Sequence, residues 1–84
     1  MEIEPVIRQT FAEVLESAGQ TMSTPLTHES VLLRTGLDSL GFAILVARLE
    51  ETLGYDPFVL MTTPVYPQTF GEFLAIYQQF NPIN

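Results

Sequence analysis

Apolar side chains recur at steps of three and four residues along three stretches of this chain, the spacing that places them on one face of an α-helix. The first stretch predicts a helix from Glu4 to Ala18, in which Pro5 is tolerated in the first turn. Gly19 is expected to end this helix. The residues predicted to face a core are Val6, Ile7, Phe11, Val14, Leu15 and Ala18.

The second stretch predicts a helix that begins at Asp38 or Ser39 and ends near Leu53. Asp38 can accept a hydrogen bond from an amide of the first turn, and Gly54 stands where a left-handed residue often ends a helix. The predicted core face comprises Phe42, Leu45, Val46, Leu49 and Leu53. The residues expected to point in other directions are Leu40, Gly41, Ile44, Ala47 and Arg48.

The chain between these two helices, from Gln20 to Leu37, has no helical period but contains the apolar run Val31-Leu32-Leu33. We expect an ordered loop that folds back over the core. After the second helix, Asp56 and Pro57 have the order of a cap and a first-turn proline, which predicts one short helix through Met61.

The last helix follows two prolines, Pro64 and Pro67, which interrupt the chain before it. Thr69 and Glu72 have capping-box spacing and mark its start, and Pro82 follows its end. Its predicted apolar face comprises Phe70, Phe73, Leu74, Ile76, Tyr77 and Phe80. Because no useful length alternates with period two, we expect an all-α fold: a small four-helix bundle with a long loop between helices 1 and 2 and a short third helix.

The composition limits what this bundle can be. Its 84 residues, 46% of them hydrophobic, suffice for one core, so residues 1–84 are expected to form a single domain. No run approaches the roughly 20 apolar residues that span a bilayer, and Met1 is followed by Glu2 rather than by a basic flank, so we expect a soluble, cytoplasmic protein. The chain has no cysteine, so it has no thiolate metal site, and any sulfur nucleophile has to be attached covalently.

The formal charge of −7 comes from ten carboxylates against three arginines. Such a charge repels a phosphate backbone, so a nucleic acid partner is not expected. The acidic balance suits docking onto basic patches of partner proteins, and it equally suits a small domain that only has to stay in solution. The charge therefore does not decide between these functions.

The candidate site is the segment Gly36-Leu37-Asp38-Ser39-Leu40, where the long loop meets the second helix. A serine hydroxyl there is expected to be exposed on a rigid element. A phosphodiester on it would lie beside unpaired helix amides, which favour negative charge by about 0.3–1 kcal/mol at an exposed site. The alternative is an ordinary serine at a helix start that bonds a backbone amide.

This pattern resembles the acyl carrier and peptidyl carrier protein family, whose attachment motif is Asp-Ser-Leu or a close variant at the start of the second of four helices. The match at Asp38-Ser39-Leu40 extends through Gly36-Leu37 before it, and the length and helix spacing agree across nearly the whole chain. The later residues that carry the resemblance are Leu45, Leu49, Glu50, Glu51, Leu53 and Gly54.

The resemblance implies a fold of acyl-carrier type and a covalent 4′-phosphopantetheine on Ser39, which makes the chain a phosphoprotein. A phosphopantetheinyl transferase would attach it from coenzyme A, and its terminal thiol would carry an acyl or aminoacyl group as a thioester. Asp38 would help the transferase recognise the site, a role compatible with capping the helix. The implied partners also include an acyl or amino acid ligase and acyl-transferring enzymes, while the carrier itself is expected to be non-catalytic. Separately from the resemblance, we expect a monomer.

The chain departs from carriers of fatty acid synthesis, which place carboxylates along the exposed side of the second helix. Gly41 and Ile44 occupy two such positions, and only Glu50 and Glu51 remain near the helix end. A neutral surface shifts recognition toward apolar contact, which favours a carrier of a specialised pathway and leaves the cargo open. The residues expected to dock partners are Leu40, Gly41, Ile44, Ala47 and Arg48.

Three alternatives stay open at this point. Leu40 and Ile44 are either docking residues or buried against Val31-Leu32-Leu33. A serine hydrolase is disfavoured because His28 is the only histidine, expected to be a solvated loop residue, and no Gly-x-Ser-x-Gly pattern occurs. The single histidine also leaves no histidine pair for a metal. The third alternative is a carrier-like interaction module that is never modified, although the intact motif at Ser39 argues against it.

Overall fold

The structure, a computed structural model, describes residues 2–20, 25–61 and 66–82. These residues contain no β-strand, only an isolated antiparallel bridge between Val31 and Thr69. None of the described helices is long and apolar enough to cross a bilayer. The predicted all-α bundle, with its long first loop and short third helix, is confirmed. The elements in chain order are α1 (Glu4–Ser17), a short 3-10 helix (Leu32–Arg34), α2 (Ser39–Leu53), α3 (Pro57–Leu60) and α4 (Phe70–Gln79).

Helix α1 ends one residue earlier than predicted, at Ser17. Gly19 takes a left-handed φ of 75°, and the amide of Gln20 then donates to the carbonyl of Leu15 at 2.9 Å. This backward bond closes the helix in the manner of a Schellman motif. Ala18 therefore lies in the turn, where it is exposed, and its prediction as a core residue was wrong.

The ends of α2 and α3 follow the predicted signals. Gly54 ends α2 in the left-handed region, at φ 86°. The side chain of Asp56 accepts a hydrogen bond from the amide of Phe58 at 2.9 Å and so caps α3, as predicted. The helix ends at Leu60, with Met61 extended after it, while Pro64 lies outside the described residues.

Helix α4 begins with the predicted capping box. The Thr69 hydroxyl accepts from the Glu72 amide at 3.1 Å, and the Glu72 carboxylate accepts from the Thr69 amide at 3.4 Å. The predicted apolar face is buried apart from Phe80, which follows the helix and packs against the core half-buried.

The core joins α1, α2 and α4 to the loop between α1 and α2. Leu45 and Leu49 of α2 are fully buried, and the other three residues of its predicted face are half-buried against the core. The face of α2 is thus confirmed. The buried apolar residues of the core are Ile3, Ile7, Phe11, Val14, Leu15, Leu32, Leu37, Leu45, Leu49, Tyr55, Phe70, Phe73, Leu74 and Tyr77.

Aromatic rings fasten α3 to this core. The Phe58 ring centroid lies 5.7 Å from that of Phe42, 6.1 Å from that of Phe73 and 6.0 Å from that of Tyr77. The Tyr55 hydroxyl donates to the Tyr77 carbonyl at 2.6 Å. Burial raises the pKa of Tyr77, and its hydroxyl has no hydrogen-bond partner among the described residues.

The loop over residues 25–37 is ordered, as predicted, and it contains the 3-10 helix. Residues 21–24 of the predicted loop lie outside the described residues. The amide of Leu32 donates to the carbonyl of Gln68, and the amide of Gly71 donates to the carbonyl of His28, both at 2.9 Å. A Cβ on residue 71 would lie 2.8 Å from the His28 carbonyl oxygen, so only glycine allows this approach.

A polar cluster ties the beginning of α1 to the same loop. The Glu4 carboxylate accepts from Arg8 Nε at 2.9 Å and lies 3.2 Å from His28 Nε2, while Arg8 Nη1 donates to the Leu26 carbonyl at 2.6 Å. The hydrogen bonds from Arg8 and then from His28 lower the pKa of Glu4. His28 is exposed, as predicted, but it is also paired, and its ring lies 6.3 Å from that of Phe70.

Candidate functional site

Ser39 is the first residue of α2, and the residue before it supplies the helix cap. Asp38 is extended, and its Oδ1 accepts a hydrogen bond from the Gly41 amide at 2.7 Å. The serine is therefore not needed as a cap. Its side chain is exposed and makes no hydrogen bond to any residue that the structure describes, so the alternative of an amide-bonded serine does not apply.

Gly41 is buried, so its prediction as a surface residue that contacts partners was wrong. A Cβ at this position would lie 3.0 Å from Leu37 Cδ1 and 3.2 Å from Asp38 Oδ1. The neighbouring side chains close over the glycine because it has none of its own. Gly41 thus lets Leu37 pack and Asp38 reach its amide, and it shapes the loop that presents Ser39.

The remaining predicted docking residues lie at the surface. Leu40 is 70% exposed and Ile44 is 40% exposed, which excludes the alternative that Val31-Leu32-Leu33 buries them. Ala47 is exposed, and Arg48 Nη1 lies 3.9 Å from a carboxylate oxygen of Glu13 on α1. We call Leu40, Ile44, Ala47 and Arg48 the α2 face.

A groove of about 750 Å³ opens beside Ser39. Its walls come from the loop before α2 and from the chain before α4, so it joins segments about 30 residues apart. Sequence analysis missed this groove because no local pattern reports that two distant segments face each other. The residues that line it are Val31, Leu32, Leu33, Leu37, Ser39, Phe42, Tyr66, Pro67 and Gln68.

The site fits a group attached through a phosphodiester. The Ser39 oxygen is unbonded and accessible, and amides at a helix N-terminus lack intrahelical acceptors and favour an anion. None of the described residues that line the groove is a histidine that could act as a base. The single histidine, His28, lies 3.2 Å from the Glu4 carboxylate. Nor do three carboxylate or histidine side chains gather for a metal anywhere in the described part of the chain.

These features define a class: a small helical bundle that presents a free hydroxyl at the start of a helix. A family model described as a phosphopantetheine attachment site matches residues 5–59, more than half of the chain. No curated protein and no solved structure gives a significant match. The chain therefore belongs to the phosphopantetheine-attachment family of carrier proteins, which bear covalently attached 4′-phosphopantetheine and are generally non-catalytic.

Proposed function

We propose that Ser39 is the attachment residue and that the arm on it holds an acyl or aminoacyl group as a thioester. The observation that carries this proposal is at the start of α2. Asp38 caps the helix, so the Ser39 hydroxyl is exposed and makes no hydrogen bond to any described residue. The family match covers residues 5–59 and therefore includes this residue.

In the attachment step, Ser39 Oγ loses its proton and bonds to the phosphorus of coenzyme A that carries the pantetheine. The bond from that phosphorus to the bridging pyrophosphate oxygen breaks, and 3′,5′-ADP leaves. The transferase supplies the base, since none of the described residues that line the groove beside Ser39 is a histidine. When bound, the group supplies a thiol that this cysteine-free chain lacks. The residues on either side of the cap fix the position of Ser39. Leu37 is buried in the core, and Asp38 stabilises the first turn of α2 by accepting the hydrogen bond from the Gly41 amide.

The α2 face is the proposed docking surface for the transferase, for an acyl or amino acid ligase, and for enzymes that receive the cargo. Two exposed apolar side chains, Leu40 and Ile44, lie on it close to Ser39 in the chain. The carboxylates Glu50 and Glu51 lie at the far end of the helix, so apolar contact, more than charge, is expected to select partners. This composition supports a carrier of a specialised pathway over a general carrier of fatty acid synthesis.

The same proposal takes residues 1–84 as one carrier domain that works as a monomer in the cytoplasm. One continuous core that includes α1, α2 and α4 supports the single domain. The lack of cysteine is compatible with a reducing compartment. Light scattering of the purified chain measures the oligomeric state, and a dimer at micromolar concentration would contradict the monomer.

The test of attachment is the intact mass after incubation with coenzyme A and a transferase of broad specificity. We expect the mass to increase by one phosphopantetheine, and Ser39→Ala to abolish the increase. Ser17→Ala, at the exposed end of α1, is the matched control and should be modified at the normal rate. A mass that stays unchanged with several active transferases would instead indicate an unmodified interaction module.

A further inference from the structure

We propose that Arg34 is a positioning residue for the attachment reaction, which attracts the 3′-phosphate of coenzyme A toward the site at Ser39. This inference rests on Ser39 being the attachment residue. Coenzyme A is an anion that the transferase has to bring up to a chain whose formal charge is −7. Because like charges repel, the local charge around Ser39 decides how easily this substrate approaches.

The charge of the chain is unevenly distributed along the sequence. Residues 30–49, which contain the 3-10 helix and most of α2, hold two arginines and one aspartate. The rest of the chain holds one arginine and nine carboxylates. The segment that presents Ser39 therefore has a positive balance, and this is the segment that the anionic substrate has to reach.

Two of the three arginines are paired with carboxylates. Arg8 Nε lies 2.9 Å from Glu4, and Arg48 Nη1 lies 3.9 Å from Glu13. Arg34 is exposed, and its side chain makes no ion pair or hydrogen bond with any residue that the structure describes. Its positive charge is therefore available to a substrate.

The backbone at Arg34 is ordered, although its side chain is not bonded to the described part of the chain. The Arg34 amide donates to the Val31 carbonyl at 2.9 Å, and the Thr35 hydroxyl donates to the Leu32 carbonyl at 2.6 Å. Leu32 is buried in the core and anchors this turn. A charge on an ordered turn can meet a substrate without the entropy cost of ordering a mobile loop.

Arg34 and Ser39 border the same opening. Leu33, which directly precedes Arg34, lines the groove together with Ser39. Five residues of chain span at most about 18 Å, and the arginine side chain shortens the gap that remains. In coenzyme A, the second pyrophosphate phosphorus and the ribose separate the 3′-phosphate from the phosphorus that bonds to Ser39. The 3′-phosphate is therefore the group that extends away from Ser39 across this gap.

The carboxylate beside Ser39 makes a compensating charge necessary. Asp38 caps α2 through the Gly41 amide and is exposed, so it repels phosphates that approach Ser39. A phosphate monoester carries a charge of about −1.5 to −2 near pH 7, and a guanidinium can bind it through two hydrogen bonds. Arg34 thus offsets the charge that the helix cap places at the site.

The experiment measures modification of Arg34→Gln by a broad-specificity transferase saturated with coenzyme A or with 3′-dephospho-coenzyme A. With coenzyme A, we expect KM for the carrier to rise about fivefold with little change in kcat, the effect of losing one exposed ion pair. With 3′-dephospho-coenzyme A, the same substitution should change KM less than about twofold, because the paired phosphate is missing. The difference should disappear near 1 M salt, where the Debye length is about 3 Å.

Arg34→Lys and Ala12→Glu are the matched variants. Lysine keeps the positive charge, so Arg34→Lys should retain most of the affinity with coenzyme A. Ala12→Glu, on the exposed side of α1, changes the net charge by the same amount as Arg34→Gln and should leave KM nearly unchanged. All three variants should keep the Tm of the unaltered protein, because each alters an exposed side chain.

An equal rise in KM with both coenzymes would overturn the proposal and indicate that Arg34 contacts the transferase itself. An unchanged KM in Arg34→Gln, or an equal rise in Ala12→Glu, would overturn it as well. In each of these cases the carrier is still modified, so attachment at Ser39 stands. Absence of any mass increase in the unaltered chain with coenzyme A would instead refute the attachment itself.

Discussion

Asp38 can be tested for its two roles separately, because asparagine removes the carboxylate charge but keeps the cap, whereas alanine removes both. Its Oδ1 accepts one hydrogen bond from the Gly41 amide, at 2.7 Å. Replacing such a cap by alanine costs about 1 kcal/mol, within a range of about 0.5–2 kcal/mol. For a domain of this size, about 1 kcal/mol corresponds to a decrease in Tm of roughly 4–8 °C.

Asp38→Asn keeps an acceptor oxygen at the cap but removes the charge, so its Tm should equal that of the unaltered protein. If the transferase contacts the carboxylate, kcat/KM for modification should still fall about tenfold, the difference between a charged and a neutral hydrogen bond. Thermal unfolding followed by circular dichroism and the rate of mass increase measure the two effects.

Asp56→Ala is the matched control for Asp38→Ala, because Asp56 caps α3 through the Phe58 amide and lies away from the attachment motif. It should lower Tm but leave the modification rate unchanged. Melting of Asp38→Ala at the temperature of the unaltered protein would refute the argument that this carboxylate holds the first turn. Normal modification of Asp38→Asn would assign Asp38 a structural role only.

Four further predictions concern the core, the surface and the buried polar groups. Leu49→Ala should lower the free energy of unfolding by about 2–5 kcal/mol, measured in urea, because Leu49 is fully buried. Ile44→Glu should spare folding but slow partner reactions, measured by ligase loading. Tyr77→Phe should raise the free energy of unfolding by about 1–3 kcal/mol, because it removes a buried hydroxyl without a partner in the described structure. The hydrogen bond from Arg8 lowers the pKa of Glu4 from its ordinary value of 4.5. The Glu4 carboxylate should therefore stabilise the fold above pH 4.5, and this stabilisation should be lost as the pH falls below that value. Acid should accordingly lower the Tm of Glu4→Gln less than it lowers the Tm of the unaltered protein.

The first three of these changes each have a control of the same kind at an exposed position. Leu60→Ala truncates an exposed leucine and Ala12→Glu adds a carboxylate to the exposed side of α1, so both should leave Tm nearly unchanged. Tyr66→Phe removes a hydroxyl that is already in water. Loss of folding in Ile44→Glu, or destabilisation by Tyr77→Phe, would show that the surroundings of those side chains differ from the ones described.

The helix ends could be predicted from the sequence because their signals are local. A capping side chain and the amide that donates to it lie within three residues of each other, as at Asp38, Asp56 and Thr69. Gly54, a left-handed glycine directly after α2, is likewise a local signal that ends the helix. The position of the candidate site was predictable for the same reason, since Ser39 follows a cap at the start of a helix.

The features that the sequence did not predict depend on contacts between neighbouring turns or distant segments. Helical spacing placed Gly41 away from the core face, but the side chains of Leu37 and Asp38 bury it from the other side. The 3-10 helix of Leu32–Arg34 is a single turn, which is too short to show a period. The groove needs the loop and the chain before α4 to face each other, which only the folded chain shows.

Backbone hydrogen bonds join the loop between α1 and α2 to the start of α4 and thereby limit the movement of these two segments relative to each other. The amides of Leu32 and Gly71 cross between these segments, and so does the amide of Phe70, which donates to the Ser30 carbonyl at 2.9 Å. These three backbone hydrogen bonds restrict movement of the loop relative to the start of α4. Under the proposed function, the movement of the cargo between active sites is therefore expected to come from the arm on Ser39 and not from a rearrangement of the bundle.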